Sequence, residues 1–193
     1  MKRFWSSLWE VIEVVLIAVV TVFIIRNYLA QPFLVSGASM EPSFSHGNYL
    51  LVDEVTYRFH EPERGDVIVF HSPQDEKTFF IKRVIGLPGE QVVISDGTVR
   101  VFDTEGNEVP FDEPYILQDS TPGNIHVDLA PDEFLVLGDN RNNSFDSRNW
   151  GPLSRGAIVG IVRVRLFPFD KIQIIDSPTY DESDMVVVNG IAG

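Results

Sequence analysis

Hydrophobic positions along the chain change their spacing near residue 30. From Val14 to Ile25 the residues run VVLIAVVTVFII, with Thr21 the one polar member. Apolar side chains at every angle of a helix suit a lipid or fully buried setting, whereas a surface helix carries a single apolar stripe. The run's 12 positions rise only about 18 Å, short of a hydrocarbon core of about 30 Å. Extension to Phe4–Leu29 gives 26 positions and about 39 Å. Glu10 and Glu13 then lie near one end within reach of the interface, Trp5 and Trp9 fall at an aromatic belt, and Tyr28 marks the opposite edge. Lys2 and Arg3 precede the run, so the positive-inside rule puts the N-terminus in the cytoplasm. A buried core helix and a cleavable signal peptide compete for the same segment. Cleavage fits poorly, because Tyr28 would stand at −3 before Ala30 and two Glu lie ahead of the apolar run. Residues 1–30 are therefore expected to be an uncleaved membrane anchor.

After the anchor the pattern becomes short β-branched runs between turn signals: Tyr49–Val52, Val67–Phe70, Phe79–Ile85, Gln91–Ile94, Thr98–Phe102, Glu133–Leu137 and Ala157–Phe167. Arg64-Gly65-Asp66, Leu87-Pro88-Gly89, Asp96-Gly97 and Glu105-Gly106-Asn107 punctuate them. Asp96-Gly97 between VVIS and TVRVF predicts a tight hairpin. No later stretch holds a helical period. The fold class expected is mainly β: an N-terminal transmembrane helix, then an antiparallel β-rich domain over 31–170, built as a partly closed barrel or two packed sheets. A small β insertion is expected at about 91–134. Residues 171–193 form a tail whose acidic cluster at 181–184 and following Val run read equally as an added strand or a loose end.

Composition narrows the function classes. The chain has 193 residues and a net charge of −13. Without the anchor, 12 basic and 26 acidic side chains remain, which argues against nucleic acid as a partner. The absence of cysteine excludes a disulfide framework, a thiolate metal site and a cysteine nucleophile. The histidines, at 46, 60, 71 and 126, lie in separate segments without zinc-ligand spacing. No metal and no cofactor are expected.

Three segments carry candidate chemistry. Ser36-Gly37-Ala38-Ser39-Met40-Glu41-Pro42 follows the anchor, and taken alone it reads as a turn before proline. In Phe79–Gly86, strand alternation puts Phe80, Lys82 and Val84 on one face and Phe79, Ile81, Arg83 and Ile85 on the other. Lys82 is either a snorkelling surface lysine or one held in apolar surroundings until its ammonium loses charge. Residues 138–151, GDNRNNSFDSRNWG, alternate donors and acceptors enough to knit a buried polar network.

SGASMEP, RGDVIVF (64–70), FIKRVIGLPGE (80–90) and GDNRNNSFDSRNWG occur in that order after one hydrophobic anchor. Together they resemble the bacterial type I signal peptidases. The resemblance implies a membrane-anchored serine endopeptidase with a Ser/Lys dyad and a catalytic domain on the outer face of the cell membrane. It implies Ser39 as nucleophile and Lys82 as general base, with Ser144 orienting the lysine. Asp146 and Arg148 are implied as a structural ion pair, with Asp139 supporting the same loop. Met40, Phe44, Phe80 and Ile81 fall where the family lines its substrate pockets. Gly37 stands where some members carry a serine that binds the oxyanion, which leaves the Ser39 amide and Ser36 as candidates. The implied partners are signal-peptide-bearing pre-proteins, cut after small residues of the Ala-x-Ala type, and the lipid bilayer. A self-cleaving Ser/Lys peptidase of the repressor type would carry a DNA-binding helix-turn-helix where this chain has its apolar run. A non-enzymatic envelope-binding domain would not need Ser39, Lys82 and Ser144 intact.

Overall fold

The computed structural model describes residues 2–24, 30–110, 112–118 and 120–177. The expected interfacial position of Tyr28 and the acidic cluster at 181–184 lie outside the described residues. Helix α1 (Lys2–Ile24) covers the apolar run. Its side chains are described over 9–22 and all are exposed, a length of about 21 Å. Among the described residues no helix is long and apolar enough to cross a membrane. The segment expected to end the anchor already includes Ala30, the first residue of a strand.

The strands are β1 (Ala30–Leu34), β2 (Tyr49–Asp53), β3 (Val67–Ser72), β4 (Asp75–Gly86), β5 (Gln91–Ser95), β6 (Thr98–Phe102), β7 (Glu108–Val109), β8 (Ile125–Asp128), β9 (Glu133–Leu137), β10 (Leu153–Ser154), β11 (Ile158–Phe167) and β12 (Gln173–Ile174). A short helix, α2 (Ser147–Trp150), follows the loop after β9. One sheet of eight strands runs β1-β2-β11-β3-β4-β9-β10, with β12 paired to β11, and a second sheet of four runs β7-β6-β5-β8. All pairings are antiparallel. The large sheet does not close: its path ends at β1 and at the two-residue β10, so the partly closed barrel gives way to two sheets. Beyond residue 170, β12 pairs with β11 of the large sheet through Val164↔Ile174. At the Ser95↔Thr98 hairpin both turn residues take positive φ, 52° for Asp96 and 78° for Gly97, as a tight two-residue turn demands.

β3 and β4 divide the core. Val67 and Val69 pack with Val35, Met40, Phe44 and Leu50 on one side, and Ile68 and Phe70 pack with Val84, Phe134 and Val136 on the other. Burial on both faces explains why this strand reads as a continuous apolar run rather than an alternation. Ile85, Leu135 and Leu137 join Val92, Ile94 and Val101 in a third cluster, which fastens the small sheet to the large one.

Candidate active site

Ser39 lies in the turn-rich crossing from β1 to β2. Met40 and Phe44, each 1 % exposed, drop from that crossing into the first core cluster, and the Phe44 N–H donates to the Met40 carbonyl at 2.8 Å. These two residues form the floor beneath the serine and do not line the cavity beside it. Gly37 has φ +100°, a left-handed conformation that a serine would adopt only with strain, and its N–H donates to His46 Nδ1 at 3.3 Å. Ser36 is exposed and lines the cavity.

Lys82 reaches the serine from the middle of β4. Its Nζ is 2.8 Å from Ser39 Oγ and 2.9 Å from the Ile81 carbonyl oxygen, and 5.5 Å from the centre of the Phe80 ring. The residue is only 4 % exposed. Burial pushes its pKa down from 10.5 to about 8, against the pull of Asp146 and Asp139, which favour the charged form. Both acids have guanidinium partners of their own. Arg83 forks onto Asp139 at 2.9 and 2.7 Å, and Arg148 onto Asp146 at 2.8 Å through each nitrogen. Two carboxylates already neutralised in bidentate pairs hold a nearby ammonium weakly, so desolvation prevails. Burial alone would raise the Asp146 pKa, but Arg148, the Ser144 hydroxyl and the Gly138 amide hold it below its ordinary value.

The loop after β9 closes on itself. Gly138 N donates to Asp146 Oδ2 at 3.0 Å, and Asp146 caps α2 by accepting from Arg148 N. Asp139 and Asp146 are fully buried, which a carboxylate tolerates only when paired. Asp139 thus ties β4 to this loop. Ser144 lines the same cavity as Ser39 and Lys82, its buried hydroxyl beside the Asp146 carboxylate, and no hydrogen bond joins it to Lys82.

A cavity of about 560 Å³ opens beside the Ser39–Lys82 pair. Phe80 and Ile81 line it, joined by Phe33, Leu34, Val35, Leu50, Val69, Phe79 and Phe145, none of which the sequence reading placed there. The apolar run Phe33-Leu34-Val35 just before Ser36 is the available signal, hidden by its nearness to the anchor. Phe33 and Phe79 meet edge to face at 5.2 Å between the two strands. Among the described residues no cluster of three or more His, Asp or Glu is placed to hold a metal ion. The arrangement is a hydroxyl within proton-transfer distance of a desolvated amine, at the wall of an apolar cleft between the edge strand β1 and β4. Such a site can carry nucleophilic attack on a bound acyl group.

The family model for signal peptidase, peptidase S26, matches residues 8–167. A probable signal peptidase I-1 of Synechocystis is 36% identical over 91% of this chain and 91% of its own length. A signal peptidase I of Leptolyngbya laminosa is 37% identical over 90% of this chain and 86% of its own. The signal peptidase I P of Bacillus subtilis subsp. natto is 33% identical over 89% and 96%. A crystal structure of a signal peptidase I from Enterococcus faecalis aligns with a TM-score of 0.44 at 28% identity, covering 53% of this chain and 97% of that one.

Proposed function

The chain belongs to the signal peptidase family, peptidase S26, whose type I members are serine endopeptidases that remove signal peptides, and on that premise we propose that it does so with Ser39 as nucleophile and Lys82 as general base. The observation that carries this reading is the 2.8 Å approach of Lys82 Nζ to Ser39 Oγ, with the amine buried. A lysine at its ordinary pKa is protonated at neutral pH and cannot accept a proton. With its pKa lowered to about 8, a usable fraction is neutral. Neutral Nζ takes the Ser39 proton as Oγ attacks the scissile carbonyl, then returns it to the leaving amine, and the resulting ester is hydrolysed by water that Lys82 activates in the same way. The Ser39 amide and the Ser36 hydroxyl are the proposed oxyanion donors.

The substrate is a pre-protein whose segment before the cut lies extended in the cleft, adding main-chain pairing to the free edge of β1. The apolar walls of Val35, Leu50, Val69 and Ile81 suit small side chains at −1 and −3. The bilayer is the second proposed partner, with α1 as anchor, the N-terminus cytoplasmic and the β domain on the outer face. Supporting this, Leu34, Tyr49 and Phe167 stand in register across β1, β2 and β11. All three are exposed, Phe167 meets the exposed Phe169 edge to face at 5.4 Å, and Ile172 and Ile174, which follow in the chain, are exposed as well.

The test is processing of an Ala-x-Ala pre-protein in detergent by the parent, Ser39→Ala and Lys82→Ala. Each variant is expected to lose at least about 10³-fold in rate. Cleavage by either at the parental rate would end the assignment.

A further inference from the structure

The connection from β7 to β8 in the small sheet reaches the active site through side chains. Arg141, 1 % exposed, is held by Glu113 and Thr121 of that connection. Gln118 meets the loop after β9 with both ends of its amide. Its Nε2 donates to Asn140 Oδ1 at 3.4 Å, and its Oε1 accepts from Arg141 N at 3.2 Å. This fixes which way the Asn140 amide faces. Asn140 Nδ2 donates to the Ala38 carbonyl at 3.1 Å, and the Asn140 N–H donates to the Ser39 carbonyl at 3.0 Å. One residue therefore grips the peptide unit on each side of Ser39.

The Ala38 carbonyl and the Ser39 N–H belong to a single planar peptide. Holding the carbonyl sets the direction of that N–H, which is the main-chain oxyanion donor of the proposed mechanism. Gly138 seats the grip at close range: a Cβ there would collide with the Ser39 carbonyl oxygen and Ser144 Oγ.

We infer that Asn140 is a positioning residue that aims the Ser39 N–H at the oxyanion, and that Gln118 holds Asn140 in the orientation this requires. The inference rests on the reading of Ser39 as nucleophile. Loss of Nδ2 leaves the Ala38 carbonyl held by the Glu41 N–H at 3.2 Å and so loosens the Ala38–Ser39 peptide, and the penalty falls on the transition state and not on peptide binding.

The test uses the full chain in detergent as parent, Asn140→Ala, Gln118→Ala and the double variant, assayed below their melting temperatures. One readout is kcat and KM on the pre-protein. The other is the rate at which p-nitrophenyl acetate acetylates Ser39, where the Oγ–acyl bond forms, nitrophenolate leaves and Lys82 takes the serine proton. Asn140→Ala is expected to lower kcat and acetylation about 10–100-fold, with KM within threefold and the midpoint of the pH–rate curve unmoved. Gln118→Ala is expected to lower both about 3–10-fold, and the double variant to match Asn140→Ala, because Gln118 acts through Asn140. If Asn140→Ala does not fold, Gln118→Ala carries the test alone. Rates within twofold of the parent, a change confined to KM, a shifted pH midpoint or multiplied losses in the double variant would overturn the inference. A parent that acetylates Ser39 but leaves pre-proteins uncut would sink the substrate reading instead, with the acetylation rates still deciding the role of Asn140.

Discussion

Lys82 is where function and stability oppose each other. Burial lowers its pKa from 10.5 to about 8, so below about pH 8 the folded protein must keep a charged amine out of water. Between about 8 and 10.5 the unfolded chain binds more protons than the folded one, and stability therefore rises with pH across that window. The full difference is about 3 kcal/mol. Lys82→Met removes the buried charge while filling similar space. It is expected to abolish cleavage while raising stability at pH 7 by about 1–3 kcal/mol, with the gain shrinking as pH passes from 8 to 10.5. Denaturant unfolding of both proteins at pH 7 and 10 checks this; a less stable variant at pH 7 would show that the Ser39 and Ile81 hydrogen bonds outweigh desolvation. Ser39 and Lys82 were legible in the sequence only through the motifs around them, since a serine turn and a strand lysine each have commoner explanations. The roles of Asn140 and Gln118 were not legible, because 22 residues separate them and only the folded connection between β7 and β8 brings them together.

Among the elements, the loop after β9 depends most on pairings that span the fold. All seven runs of alternating or continuous apolar residues became strands, with ends shifted by a few residues. The missed strands β7, β10 and β12 have two residues each, too few for a period of two to register; β8 alternates Ile125 and Val127 with polar residues over only four positions, and β1, Ala30–Leu34, begins at the last residue of the expected anchor. The Arg83–Asp139 pair joins β4 to the loop at 5 % and 0 % exposure. Removing one partner leaves a buried charge uncompensated, so Asp139→Ala is expected to cost about 3–5 kcal/mol, read as a fall in the denaturation midpoint. A loss below about 1 kcal/mol would mean that water reaches the Arg83 guanidinium.

The whole molecule joins a strongly acidic β domain to an apolar helix, and its overall charge gives the domain no attraction to anionic lipid. The proposed attachment to the bilayer then rests on apolar surface: the exposed side chains of α1 and the exposed Leu34, Phe167, Phe169, Ile172 and Ile174. Flotation with neutral phosphatidylcholine vesicles is expected to carry the full chain to the lipid fraction, with little dependence on salt or on added anionic lipid. Phe169→Ser with Ile174→Ser is expected to slow processing of a vesicle-bound pre-protein while sparing a soluble peptide. Equal effects on both substrates would deny these residues a membrane-facing role.

The proposed mechanism makes the buried amine beside Ser39 the base, and the pH dependence of kcat/KM for a soluble peptide reads its titration in the free enzyme. The rate is expected to rise tenfold per pH unit on the acid side and level off with a midpoint near 8, the value to which burial brings Lys82. A profile flat from pH 6 to 10, or one whose midpoint stays near 10.5, would contradict it.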